Sequence, residues 1–159
     1  MTNLQEVRHI LVIEDQKSRR IISLKEDDYS IGRDPSCTIV LYDRQVSRHH
    51  ASLTKVNPDE KDRYCYRIDD GDFQGKRSTN GITINGQRCF SHDLKHGDLI
   101  WFGNKSKASY HIISTASELY LLKADEQAER PNPAINLSKE TQGDGIDAKK
   151  LSFSIAFLN

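Results

Sequence analysis

The chain carries no net charge, since its 23 lysines and arginines are matched by 23 aspartates and glutamates. It therefore has no global basic field to hold a polyanion, which argues against nucleic acid as its partner. Cysteine is scarce: Cys37, Cys65 and Cys89 are odd in number, widely spaced and lack a C-x-x-C pair. That pattern points to reduced thiols in a cytosol and away from a disulfide framework or a zinc site. Long apolar runs are missing as well. The longest near the start, Ile10 to Ile13, is too short for a signal-peptide core, and no stretch approaches the roughly 18 residues that span a bilayer. A cytoplasmic protein with no membrane insertion is expected, and 159 residues leave room for one domain of ordinary size plus a tail.

What is present is a succession of short extended runs punctuated by turn residues, with no helix-period stripe between His9 and Ser114. This is the pattern of an all-β sandwich or barrel. The runs are Ile10 to Ile13, Arg20 to Leu24, Tyr29 to Ile31, Thr38 to Leu41, Ala51 to Val56, Tyr64 to Ile68, Ile82 to Ile84, Gln87 to Phe90, Leu99 to Phe102 and Tyr110 to Ile113. Asn85-Gly86 joins two of them as a hairpin, because a type I′ turn needs positive φ twice. After Thr115 the pattern changes. Ser117 is placed to cap a helix carrying Glu118 in its first turn, with Leu119, Leu122, Ala124 and Ala128 on one side, ending before Pro131. The organisation expected is a domain over residues 1–115, a helix over 116–130 and a flexible polar tail over 131–159. The tail ends in an alternating segment, Leu151 to Phe157.

Four polar clusters fall where extended runs give way to turns: Gly32-Arg33, Ser47-Arg48-His49-His50, Ser78-Thr79-Asn80-Gly81 and Asn85-Gly86. Loops on a rigid sheet bring such groups together at one end. Arg33 can fork two bonds onto a phosphate, Ser47 and Thr79 can each donate an O–H bond, and Asn80 can both donate to and accept from a peptide backbone. Taken singly, Arg33 is an ordinary surface arginine, Ser47 and Thr79 are turn-capping hydroxyls, and Gly32 and Gly81 supply turn conformations. Their joint pattern is what points to a phosphate reader.

This order and spacing resembles the forkhead-associated (FHA) domain, over roughly residues 8 to 115. The likeness extends to Leu94-Lys95-His96-Gly97-Asp98-Leu99-Ile100-Trp101-Phe102-Gly103, which is similar to that family's late L-x-x-G-D-x-I-x-x-G stretch. The resemblance implies an FHA-type antiparallel β-sandwich that binds phosphothreonine in a partner protein without catalysis or cofactor. It assigns phosphate binding to Arg33 and Ser47, with Arg48 and Thr79 beside them. Asn80 would grip the peptide main chain, and His50 would buttress the loops from beneath, with Gly32 and Gly81 in supporting roles. Lys76 and Arg77, and more weakly His49, are candidates for a cationic rim. The implied partner is a threonine-phosphorylated protein, a Ser/Thr kinase or its substrate, which makes the chain an adaptor in kinase signalling. Self-association through the tail is a further expectation.

Two departures stand out. The loop from Asp69 to Arg77 is longer than usual, and Ile82 replaces the Thr often found after Asn-Gly. Both bear on selectivity, for which Arg44, Gln45, Phe73 and Gln74 are the candidates. Among competing readings, His9 to Asp15 looks like the first strand and acidic pair of a response-regulator receiver, but the helix such a fold needs before the next strand is absent. Ser47 and His50 suggest nucleophilic catalysis, yet no G-x-S-x-G elbow or third member accompanies them. A phosphate-independent scaffold with the same fold is the alternative that sequence leaves open. In the tail, Thr141 begins a T-x-x-D arrangement with Asp144, a form some FHA domains favour as ligand.

Overall fold

The computed structural model describes residues 6–59, 63–114 and 116–128. The tail beyond residue 128, including Thr141 and the Leu151 to Phe157 segment, lies outside the described residues. Eleven strands and one helix follow in order: β1 (Arg8–Glu14), β2 (Arg19–Leu24), β3 (Asp28–Gly32), β4 (Ile39–Val40), β5 (Ala51–Val56), β6 (Cys65–Asp70), β7 (Ile82–Ile84), β8 (Gln87–Cys89), β9 (Ser91–Asp93), β10 (Leu99–Trp101), β11 (Lys107–Ile113) and α1 (Ala116–Ala128). By its internal contacts the chain divides into residues 1–123 and 124–159, and only the end of α1 is described in the second unit.

Two sheets build the first unit, with strand orders β2-β1-β11-β10-β7-β8 and β4-β3-β5-β6-β9. All pairings are antiparallel except that of β3 with β4. Alternation explains the layering. In β6, Tyr66, Ile68 and Asp70 are buried while their neighbours are partly exposed, as a half-buried strand requires. Leu11, Ile13, Ile31, Leu53, Tyr66, Ile68, Ile82, Ile100, Phe102 and Tyr110 form the core. Each such side chain contributes about 1.5–3 kcal/mol by leaving water.

Strand β1 is buried on both faces, which is why it reads as an unbroken apolar run. Leu11 and Ile13 join the core, while Ile10 and Val12 join Ile113 in a second cluster against which Ile21, Leu119 and Leu122 pack. Leu119 and Leu122 thus do what their spacing predicts. The helix starts at Ala116, so Ser117, expected as its cap, sits inside the first turn. The carboxylate of Glu118 instead accepts the N–H of Ser114 at 2.8 Å. No helix among the described residues is long and apolar enough to cross a membrane.

Turns set the register. Asn85 has φ 51° and Gly86 φ 84°, the pair of positive values that the β7–β8 hairpin needs. Asn85 also ties that hairpin to β10, accepting from Leu99 N–H through Oδ1 and donating through Nδ2 to the buried Asp98. Asp98 in turn accepts from the Lys95 N–H and bonds the His92 ring, at 2.8 Å each. The Gly97-Asp98 pair therefore works as the hub of a turn. Strand β9 escapes prediction because Ser91-His92-Asp93 is polar, and its place is set by pairing with β6.

Candidate functional site

The β3–β4, β4–β5 and β6–β7 loops meet around a cleft of about 420 Å³ lined by Arg33, Asp34, Ser47, Arg48, His49, Asp72, Lys76, Arg77 and Thr79. Its floor is a main-chain approach that only glycine permits. Arg33 N–H donates to the Ser47 carbonyl (3.1 Å) and Asp34 N–H to the Arg48 carbonyl (3.2 Å), which holds residues 47–48 across the end of β3. A Cβ on Gly32 would lie 1.9 Å from the Arg48 oxygen. Gly32 thus supplies room for the main chain of residues 47–48. Gly81 has a positive φ, 73°, and a Cβ on it would lie 2.8 Å from the Arg88 guanidinium.

Ser47 Oγ accepts the Thr79 N–H at 2.9 Å, which joins the second and third loops and leaves the Ser47 hydroxyl hydrogen available to a ligand. His50, with no exposed surface, lies under both loops. Its Nδ1 accepts the Ser47 N–H (2.9 Å) and its Nε2 faces the Gly81 carbonyl (2.9 Å), so the ring is neutral with hydrogen on Nε2. Burial pushes its pKa below the ordinary histidine value, against a smaller opposing pull from the Gly81 carbonyl. Both ring nitrogens are committed to main chain, so His50 cannot serve Ser47 Oγ as a base.

The third loop, whose path the sequence left open, is pinned throughout. Strand β6 runs on to Asp70, two residues past the predicted end, and Gly71 N–H then donates to the His50 carbonyl at 2.8 Å. Asp72 accepts the N–H groups of Gln74 (2.9 Å) and Lys76 (2.8 Å) and donates its own to the Lys76 carbonyl. The Ser78 hydroxyl donates to the buried Asp70 carboxylate and accepts the Gly81 N–H at 2.9 Å. These bonds return Lys76 and Arg77 to the cleft, where Arg77 lies 3.7 Å over the ring of the exposed Phe90.

Arg33, Arg48, Lys76 and Arg77 are exposed, and none forms an ion pair among the described residues. Asp34 is held below the usual carboxylate range by the Ser36 hydroxyl and N–H, with His49 and Arg48 adding to the effect. His49 is exposed on the cleft, its Nδ1 3.5 Å from the thiol of Cys37. That thiol is buried, donates to the Arg48 carbonyl at 3.2 Å, and has its pKa raised by desolvation. All three cysteines are unpaired.

Asn80 lies apart from the other predicted residues. Its Nδ2 donates to the Gln45 carbonyl at 2.8 Å, and it lines a neighbouring polar recess with Gln45, Gly81, Thr83, Gly103 and Asn104. Sequence reasoning missed the supports. The buried Asp43 accepts from Gln45 N–H (2.9 Å) and Ser106 Oγ (2.9 Å), binding the β4–β5 loop to the β10–β11 loop. Asp70 and Asp72 were read only as part of a long loop. A small polar residue two to four positions before a turn amide is the signal that marks Asp72.

A family model of the FHA domain matches residues 29–103. The chain belongs to the FHA domain family. Its sandwich is similar to the crystal structure of the Slr1951 protein from Synechocystis, with 40% identity, a TM-score of 0.61 and coverage of 65% of this chain and 96% of that one. The uncharacterized protein sll1895 of Synechocystis is 40% identical over 106 residues, 66% of this chain. This chain spans only 15% of that relative's length. The FHA domain of yeast Dun1, determined in complex with a doubly phosphorylated peptide derived from Rad53, is 25% identical with a TM-score of 0.52. That match covers 73% of this chain and 82% of the Dun1 domain.

Proposed function

We propose that this FHA domain is a cytoplasmic adaptor that binds phosphothreonine in a partner protein within Ser/Thr-kinase signalling, without catalysing a reaction. The observation that carries this reading is one cleft gathering, on a fixed main-chain floor, two loop hydroxyls and four cations that form no ion pair among the described residues. A phosphate dianion leaving water must recover its hydrogen bonds, and prearranged charged donors meet that need with little reorganisation. Arg33 supplies the bidentate partner, Ser47 and Thr79 the hydroxyl bonds, and Arg48 a second charge. Asn80 contacts the peptide main chain at the edge of the cleft, as its bond to Gln45 leaves its Oδ1 and second N–H unused among the described residues. Residues 1–115 are the binding domain in this reading, and His50, Gly32 and Gly81 support it from below.

The test is calorimetry of the full chain against a threonine peptide library in phosphorylated and unphosphorylated form, followed by Arg33→Ala on the best binder. Phosphate-dependent binding is expected, weakened by roughly 2 to 4 kcal/mol in the mutant, as when one side of a desolvated charge pair is removed. Equal binding of both peptide forms would favour a phosphate-independent scaffold. Unchanged affinity in a folded Arg33→Ala variant would place the site elsewhere.

A further inference from the structure

A second cavity, of about 350 Å³, opens where β1 and β6 begin and is lined by Val7, His9, Arg63, Tyr64 and Ile112. It is far from the phosphate cleft. Strand β6 starts just after Tyr64 and ends at Asp70, which holds the β6–β7 loop of the cleft, a run of roughly 20 Å at about 3.3 Å per residue. His9 and Ile112 are opposite each other on β1 and β11. Tyr64 stacks on the His9 ring with centroids 4.2 Å apart, and Lys55 Nζ stands over Tyr64 at 4.2 Å, so this wall is held from both sides.

His9 gives the recess its chemistry. The residue is only 2% exposed, and its Nδ1 bonds the hydroxyl of the fully buried Tyr110. The phenol hydrogen has no other acceptor among the described residues, so it goes to Nδ1 and the ring carries its own hydrogen on Nε2. Burial, aided by the charge of Lys55, lowers the His9 pKa to about 4 and keeps the ring neutral in that tautomer. Nε2 has no partner among the described residues, yet it is not sealed in, because the fully enclosed side-chain nitrogen or oxygen left without a partner there is Arg20 Nε. Its N–H is therefore open to the cavity that the ring lines. Arg63, beside it, is exposed and forms no ion pair among the described residues. A buried N–H donor and an arginine thus share one recess whose remaining walls are Val7, Tyr64 and Ile112.

We propose that this cavity binds a small organic acid, whose carboxylate accepts the His9 Nε2 hydrogen and pairs with Arg63 while its apolar body lies against Val7, Tyr64 and Ile112. The volume is at the small end of the roughly 300–1,000 Å³ of ligand pockets, which suits an acid with a short chain or a single ring. Bonds from an N–H and a guanidinium to a carboxylate are charge-assisted, so a cation of the same shape is rejected.

NMR titration of the full, isotope-labelled chain with butyrate, benzoate and hydrocinnamate tests this, with benzylamine as the cationic counterpart of benzoate. At least one acid should shift the His9 ring N–H and the Ile112 methyls saturably, at lower concentration than any movement of the Ser47 and Thr79 amides. Benzoate should bind roughly tenfold or more tightly than benzylamine. His9→Phe keeps a stacked ring and removes the donor, and should weaken the best acid by about tenfold. Because that change strands the Tyr110 hydroxyl, two surface variants accompany it. Val7→Trp fills the cavity from a half-exposed position and should abolish binding, and Arg63→Glu should favour benzylamine over benzoate. Absence of saturable shifts with all three acids at millimolar concentration would overturn the proposal. So would shifts confined to the phosphate cleft, equal affinity for benzoate and benzylamine, or unchanged binding in Val7→Trp and Arg63→Glu.

Discussion

Replacing His50 by Ala tests whether one buried ring holds the recognition loops together. The ring takes the Ser47 N–H on Nδ1 and gives its Nε2 hydrogen to the Gly81 carbonyl, both at 2.9 Å, and stands edge-on to Phe102 with centroids 5.9 Å apart. Truncation orphans a donor on the second loop and an acceptor on the third, at roughly 1–3 kcal/mol each when buried. Ser47 is half-buried, so water recovers part of its loss, while Gly81 is buried and recovers little. Adding the void left against Phe102, the expected loss of stability is about 3 to 5 kcal/mol. That is a large share of the roughly 5–15 kcal/mol that holds a domain folded. Urea unfolding followed by the fluorescence of Trp101, the single tryptophan, measures it directly. Phosphopeptide affinity should fall in the same variant under conditions where it remains folded, because Ser47 and Thr79 lose their common support. A stability change below about 0.5 kcal/mol, the range of an ordinary surface substitution, would refute the reasoning.

Gly32→Ala should cost at least roughly 3 kcal/mol and disrupt peptide binding, since its Cβ would lie 1.9 Å from the Arg48 oxygen and force residues 47–48 off β3. Urea midpoints and a phosphopeptide titration check this, and near-native stability would show that the floor of the cleft yields easily. Acid should destabilise the fold through His9, which burial, aided by the charge of Lys55, lowers from 6.5 to about 4. The group is held neutral when folded, so its contribution is complete above pH 6.5 and is lost as pH falls toward 4, amounting to about 3 kcal/mol. His50 and His111, also lowered by burial, act in the same direction. Unfolding free energies at pH 7 and pH 4 in the unmodified chain and in His9→Gln should differ in slope by that amount, and parallel pH profiles would exclude His9 as the source.

Much of the architecture was legible because it rests on local rules. The Asn85-Gly86 hairpin follows from two residues that accept positive φ, and the alternation of β6 and the spacing of Leu119 and Leu122 follow from the periods of strand and helix. The cap of α1 was misassigned to Ser117 because a serine competes equally well for cap and first turn. Strand β9 was invisible because its three polar residues gain their place from the edge of β6 and not from any pattern of their own.

The candidate site divides along the same line. Fork geometry and hydroxyl chemistry made Arg33, Ser47 and Thr79 able to serve a phosphate, their joint pattern pointed to that role, and the FHA resemblance added Arg48. Tertiary structure decided how they are held. The role of Gly32 depends on which segment passes over it, and that segment is the β4–β5 loop, fifteen residues later in the chain, held by the bonds of Arg33 and Asp34 to Ser47 and Arg48. The neutrality of His50 depends on a carbonyl at Gly81 and on burial beneath the two loops that carry Ser47 and Gly81. Asn80 shares a four-residue cluster with Thr79 yet turns to the Gln45 carbonyl and a separate recess, because its partner comes from another loop. Distances between side chains far apart in sequence are set by packing of the whole sandwich, and no local pattern encodes them.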